Sequence, residues 1–486
     1  AMTGESHDGQ LADRVAGDLP VRDAATVAAG IAADATLAVS GFGSVGDPKA
    51  VPAALAASDR DLALTVVSGG STGDAVDRAL VEADAVARRF PFVATDEARA
   101  AVDDGRVAFA DRHVAGLADE MLFGRLAAPD LAVVEAVAVG EDWLAPSTSL
   151  GQTPAYVAAA DEVVVEVNRA QPRGLARLHD VYRPAPPPDR EPIPLTDPAG
   201  RIGAPRVAFD PAKLRAVVET DRPDDPYEFR EPTAADEAVA ANLIEFLAAE
   251  RERDPVLREA LTLQFGVGSL GNALMGALAG SSLADGRLRY FGEVVQDGLL
   301  DLLDAGALDG ASATALALSE TGQERLFADL DRYADEVVLR PADVSNAPAL
   351  VDRFGVVAVN SALSVDIYGH ANATHVDGTR IVSGVGGGGD FARAAHLSVV
   401  ALPATTGDGV SRVVPFVRHV DHTEHDVDVV VTDHGVADLR GLDPRERAEG
   451  LVGLADPAHR PALRSYRERA SGGHVPHDLE TAFDWE

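Results

Sequence analysis

The chain has no cysteine in its 486 residues, which excludes disulfides, thiolate metal sites and a cysteine nucleophile together. Lysine is nearly absent: Lys49 and Lys213 are the only two, and arginine supplies the rest of 42 basic residues against 78 acidic ones. The resulting net charge of −36 argues against a nucleic-acid partner, because phosphate binding needs clustered Lys and Arg. Aromatic residues are few, at 5%. No apolar run reaches the roughly 18 residues of a membrane-spanning helix, and the opening AMTGESHDGQ lacks the basic and apolar regions of a signal peptide. These absences predict a cytoplasmic protein with no membrane partner.

What remains is a globular composition. Hydrophobic residues at 46% suffice for buried cores, so the acidic excess is not the signature of disorder. It reads as the halophilic surface of a protein kept soluble in concentrated salt, where self-repulsion is screened. The length exceeds what one core usually supports and predicts two domains.

Along the chain a short apolar run, a glycine turn and an Ala/Leu-rich stretch recur. Ala35–Phe42 precedes GFGSVGDPKAVPAAL, Leu62–Ser68 precedes GGSTGDAVDRALVEA, Leu261–Phe265 precedes GVGSLGNALMGALAG, and Arg287–Phe291 precedes GEVVQDGLLDLLDAG. Strands alternating with helices predict an α/β fold with mainly parallel sheets flanked by helices. The turns Gly41–Gly46 and Gly266–Gly271 are nearly the same, which predicts two domains of related topology. The boundary is expected after the Pro-rich RPAPPPDREPIP and near DRPDDPYEFREP, giving domains 1–224 and 225–486. A helix with a capping signal is predicted from Thr233 to Arg251.

Several constellations could carry chemistry. The Gly41–Gly46 turn, with Asp61 about 20 residues on, formally fits a dinucleotide fingerprint, but Pro48 follows closely, and a tight strand-to-helix turn that binds some phosphate or oxyanion is the preferred reading. Gly69–Gly73 matches a nucleophile elbow around Ser71, against ordinary turn chemistry. His419, His422 and His425 share a helical spacing, yet VDVVVTD after them reads as a strand, which would scatter the imidazoles, so no metal site is expected. The glycine run from Gly384 to Asp390 allows close backbone approach to a ligand and could supply oxyanion donors. Glu293 ends an expected strand, where ligand sites of parallel sheets lie, and a carboxylate there serves as base, ligand or nucleophile. Its plain alternative is an acid favoured at a helix start.

Taken together, SGFGSVGDPKAVPAAL, PSTSLGQTPAY, LHDVYRPAPPPDREPIP, GVGSLGNAL, GEVVQDGLLDLL, VNSALSVDIYGHANATHVDGT, GGGGDFARAAHLS and VPFVRHVDHTEHDVDVVVTDHGVADLRGL resemble the acetyl-CoA hydrolase/transferase family over nearly the whole chain. The likeness is greatest to its succinyl-CoA:acetate CoA-transferase branch. The resemblance implies two CoA-transferase-type domains, the second carrying a catalytic Glu293. It implies CoA transfer between a short acyl-CoA and a small carboxylate, or acetyl-CoA hydrolysis at the same site. The resemblance further implies that coenzyme A enters as substrate, that no cofactor is tightly bound, and that the protein is a homodimer. Oxyanion donors are implied in the turn Gly266, Val267, Gly268, Ser269 and Leu270, around Val267, and at Gly387. Asn346 matches an asparagine near the substrate carboxylate, Asp433 a position usually occupied by Glu, and Leu363 and Thr406 positions that contact CoA. Three positions depart from the family pattern: Gly292 where Ser or Thr is usual, Gly388 in place of a serine, and Thr406 in place of a lysine. Arg222 and Arg230 are both candidates for a second carboxylate of succinate.

Overall fold

The computed structural model describes residues 14–485; the opening segment read above for a signal peptide lies outside them. Residues divide into two compact units. The first runs as far as Tyr227 and also takes in Glu293–Asp297 and Ala311–Ala347, and the second comprises Glu228–Gly292, Gly298–Gly310 and the chain from Pro348.

The first unit is built on β1 (Thr36–Val39), β2 (Leu64–Val67), β3 (Val86–Phe90), β4 (Ala108–Phe109), β5 (Leu131–Val139), β6 (Trp143–Pro146), β7 (Glu162–Asn168), β8 (Val207–Ala208) and β9 (Leu214–Thr220). The order β4-β3-β2-β1-β5-β7-β9 is parallel throughout. Antiparallel β6 pairs with the far end of β5, and β8 extends it. All nine residues of β5 are buried, as a central parallel strand covered on both faces requires. The Gly41–Gly46 turn after β1 needs its glycines: Gly41 has φ 120°, and a Cβ there would lie 2.8 Å from Cβ of Asp47.

The segments that rejoin this unit do so by backbone pairing. Val294–Val295 pairs in parallel with Ala315–Leu316, Leu150 N donates to Thr314 O, and Leu316 N donates to Thr148 O. The expectation that the second domain carries Glu293 is therefore corrected: by its contacts Glu293 is part of the first unit. The linear sequence could not reveal this, because it depends on a return of the chain to the segment just after β6, around Thr148 and Leu150.

The second unit contains β10 (Leu261–Phe265), β11 (Leu288–Phe291), β12 (Val356–Ser361), β13 (Leu397–Ala401), β14 (Val429–Thr432) and β15 (Gly435–Asp438). They run in the order β11-β10-β12-β13-β14-β15, parallel except for the last hairpin. The helix Ala234–Arg253 begins at the capping box of Thr233 and Asp236 and buries Val239, Leu243 and Leu247 at every fourth position. A further core of Val365, Ile367, Leu402, Val430, Leu451 and Tyr466 lies beyond β14. The parallel α/β architecture expected from the glycine-turn repeats is thus present in both units.

Candidate active site

In the first unit the backbone is fixed on either side of Glu293. Its carbonyl accepts from Thr314 N at 2.8 Å and Ala315 N at 3.1 Å, and its half-buried side chain meets Asn346. Asn346 Nδ2 donates to Glu293 Oε1 at 2.8 Å. Asn346 is fully buried and follows the short helix Ala342–Ser345. Ser345 Oγ donates to Asn346 Oδ1 at 2.8 Å. That bond defines which end of the amide is oxygen and turns its NH2 group toward Glu293. Two residues named from the sequence, 53 positions apart, therefore meet in one hydrogen bond.

Behind this pair stands a buried ionic support that the sequence reading missed. Arg340 is 0% exposed. Its guanidinium donates to Asp180, to Ser312 Oγ at 2.8 Å and to Pro198 O at 2.9 Å. Its own carbonyl accepts from Thr314 Oγ1 at 2.7 Å, and Thr314 N is the donor that holds Glu293 O. Burial pulls the Arg340 pKa down to about 10 against the pull of Asp180. A charge placed there without its carboxylate would be very costly. The signal was present as an Arg directly before a Pro at a strand end, but nothing local in the sequence names Asp180 as its partner.

In the second unit the Gly266–Leu270 turn, Leu363, Thr406 and Asp433 follow the carboxyl ends of parallel strands, where such sheets place ligand sites. The Gly266–Leu270 turn follows β10. Gly268 has φ 137° at the start of the helix Ser269–Ala279, and Val267 and Leu270 line a small hollow with Phe265 and Val359. Arg230 Nη2 donates to Ser269 Oγ at 2.6 Å and lies 3.2 Å from Asp236 Oδ2. Leu363 follows β12 and Thr406 follows β13, and both line one cleft of about 530 Å³. Gly387 is the first cap of the helix Gly388–Ala394. Asp433 follows β14, and its Oδ1 accepts from Ala404 N at 2.7 Å. It thereby pins the loop that carries Thr406.

The departures from the family pattern acquire physical accounts. A Cβ at Gly292 would lie 2.5 Å from the Tyr290 hydroxyl, so the buried Tyr290 leaves no room for the usual Ser or Thr. At Gly388 a Cβ meets Asn360 Oδ1 at 3.5 Å, an ordinary contact, and space does not demand glycine there.

The competing constellations fare differently. Lys49, carried in by the Gly41–Gly46 turn, donates to Asp47 O, Glu135 Oε2 and Asp224 Oδ1, so that motif serves a buried ion network. Among the described residues Ser71 makes no side-chain hydrogen bond to a base, as a nucleophile elbow would need; its backbone O accepts from Ser44 N. His419 pairs with Asp421 at 3.1 Å and His425 is exposed. His422 is buried beside Gly388. No group of three potential metal ligands converges among the described residues, and none of their helices is long and apolar enough to cross a membrane.

Comparison with known proteins places these sites in context. Residues 21–219 match the model of the acetyl-CoA hydrolase/transferase N-terminal domain, and residues 322–467 that of its C-terminal domain. The chain is 39% identical over 459 residues to a succinyl-CoA:acetate CoA-transferase of Clostridium kluyveri, covering 92% of this chain and 85% of the relative. It is also 39% identical over 473 residues to an acetyl-CoA hydrolase of Eremothecium gossypii, covering 91% and 89%. The fold matches the crystal structure of a 4-hydroxybutyrate CoA-transferase from Porphyromonas gingivalis with a TM-score of 0.63 at 21% identity, covering 96% of this chain and all of that one. The chain is an enzyme of the acetyl-CoA hydrolase/transferase family.

Proposed function

We propose that this enzyme moves CoA between a short-chain acyl-CoA, succinyl-CoA or acetyl-CoA, and a small carboxylate, with Glu293 as the covalent carrier. The observation that carries this reading is the Glu293 carboxylate held at 2.8 Å by the buried, oriented amide of Asn346. The carboxylate attacks the thioester carbonyl, the C–S bond breaks, and CoA thiolate leaves behind a mixed anhydride. The thiolate then attacks the glutamyl carbonyl, releasing the first carboxylate and leaving a glutamyl-CoA thioester. An incoming carboxylate reverses both steps and frees Glu293. No electrons or net protons are exchanged, and the thioester's energy is retained as long as water is kept out.

Each addition places negative charge on a carbonyl oxygen, which backbone N–H groups around Val267 and at Gly387 would stabilise. Gly266, Gly268, Ser269 and Leu270 shape that turn, and Leu363 and Thr406 would contact CoA. Asp433 acts by holding the Thr406 loop. Of the two arginines named for a second substrate carboxylate, the bond from Arg230 to Ser269 supports Arg230. A homodimer remains an expectation from the family.

Intact-protein mass spectrometry in high salt tests the carrier. Brief incubation with acetyl-CoA, and separately with succinyl-CoA, should give a CoA adduct mapping to Glu293 and lost in Glu293→Gln. Turnover without an adduct would overturn it. Acetyl-CoA hydrolysis is the second reading, favoured by the hydrolase among the similar proteins. CoA release without an added acid would select it.

A further inference from the structure

The CoA cleft of the second unit contains an arginine that the protein itself leaves unpaired. Arg412 lines the cleft with Leu363, Thr406 and Ser411. Among the described residues its guanidinium makes no ion pair and no hydrogen bond, and its Nε is buried without a partner. A chain with 78 acidic residues against 42 basic ones has carboxylates to spare, and leaving a half-buried guanidinium unmatched forfeits a charge-assisted bond. Elsewhere the chain matches such groups. Arg340 has Asp180, Arg89 has Asp77 at 2.8 Å, and Arg440 has Asp438 and Glu250.

The local fold explains how Arg412 reaches the cleft. Thr405 and Ser411 bridge in an antiparallel hairpin, Thr406 N donates to Val410 O at 2.9 Å, and Arg412 N donates to Ala404 O at 2.8 Å. Thr406 Oγ1 is turned back to accept from Val410 N at 3.1 Å. Arg412 therefore stands on the same hairpin as Thr406, past its tip. The other lining arginine, Arg418, is engaged by the C-terminal segment: it donates to Phe483 O at 2.9 Å and sits 5.4 Å from the Phe483 ring. The lining acid Asp377 is held by Arg380 at 3.1 Å.

We propose that Arg412 is a specificity-determining residue that binds a phosphate of CoA, supplying from the far side of the hairpin the positive charge that Thr406 lacks. The inference rests on the CoA reading above. Guanidinium suits the task, because its planar fork takes phosphate oxygens in pairs where an ammonium offers a point charge.

The test uses the full chain, at the lowest salt in which it stays folded, and a ladder of ligands: CoA, 3′-dephospho-CoA and pantetheine. For Arg412→Gln, binding of CoA by calorimetry should weaken by about tenfold, the scale of one charge-assisted hydrogen bond. Pantetheine binding should be unchanged, and Arg412→Lys should recover part of the loss. The unsubstituted chain should also lose a step of affinity where the contacted phosphate is removed, and its CoA affinity should fall more steeply with salt than that of Arg412→Gln. Equal weakening on all three ligands, or no weakening on CoA, overturns the assignment while the CoA reading stands. If the unsubstituted chain binds no CoA at all, both fall. Should Arg412→Gln fail to fold, the ladder on the unsubstituted chain and on Arg412→Lys still decides.

Discussion

Lys49 and Arg412 are both cations set partly or wholly below the surface, and their surroundings are opposite. Lys49 Nζ spends every donor inside the first unit, on Asp47 O at 2.8 Å and on Glu135 and Asp224 at 2.7 Å each. The neighbouring Glu166, in register with Glu135 across β5 and β7, accepts the N–H groups of Lys49, Ala50 and Val51 at the start of the helix Ala50–Ala56. Arg412 has no such partners. Where the protein supplies all counter-charges, the ion belongs to the fold. Where it supplies no bonded partner, only the more distant pull of Asp236 countered by Arg230, the bonded counter-charge is expected from a ligand. The first cation should therefore be read out in stability and the second in binding.

The largest effect expected is at Lys49. Lys49→Met leaves Glu135 and Asp224 buried without their cation and should cost about 3–5 kcal/mol in denaturant unfolding, the range for breaking a buried pair from one side. A loss below about 1 kcal/mol would break the contrast with Arg412. Asp180→Ala should come next, by about the same mechanism at Arg340. It should also lower kcat, because Thr314 ties Arg340 to the backbone of Glu293; a stability loss with kcat unchanged would detach that support from the site.

A smaller effect concerns pH. His179 lies buried in the first unit with Ser147 O at 2.9 Å from its Nε2, and burial pushes its pKa down to about 4. The unfolded chain binds this proton near 6.5, so between about pH 4 and 6.5 unfolding takes up a proton and stability falls as pH falls. The slope from this residue is up to about 1.4 kcal/mol per pH unit. His179→Gln should flatten the acid limb of a Tm-against-pH curve by that contribution. The smallest effect expected is the stability change of Arg412→Gln, within about 0.5 kcal/mol as for a surface substitution. A loss of several kcal/mol would make Arg412 a second Lys49 and erase the comparison.

The strand runs and glycine turns were legible because their causes are local. Apolar runs placed β1, β2, β10 and β11 to within a few residues, and the Thr233 cap announced its helix. Glu293 and Asn346 were legible through their motifs and the family resemblance, each as an isolated name. Their hydrogen bond was not, and neither was Ser345 as the residue that orients the amide. The Lys49 network was misleading in sequence: a glycine turn that formally fits nucleotide binding delivers a lysine to two buried carboxylates far along the chain, Glu135 on β5 and Asp224 beyond β9.

By itself, the sequence determined the alternation of strand and helix, the absence of thiol chemistry, the acidic excess and, through its motifs, the naming of Glu293 as a candidate. Period, composition and motif are properties of neighbouring residues, and they survive without a fold. Tertiary structure alone decided which unit holds Glu293, which carboxylates saturate Lys49, and that Arg412 lines a cleft without a carboxylate bonded to it. Those outcomes depend on charge compensation over a few ångströms between residues as much as 175 positions apart. Burial raises the energy of leaving such charges unmatched, and only the folded chain determines which of them meet.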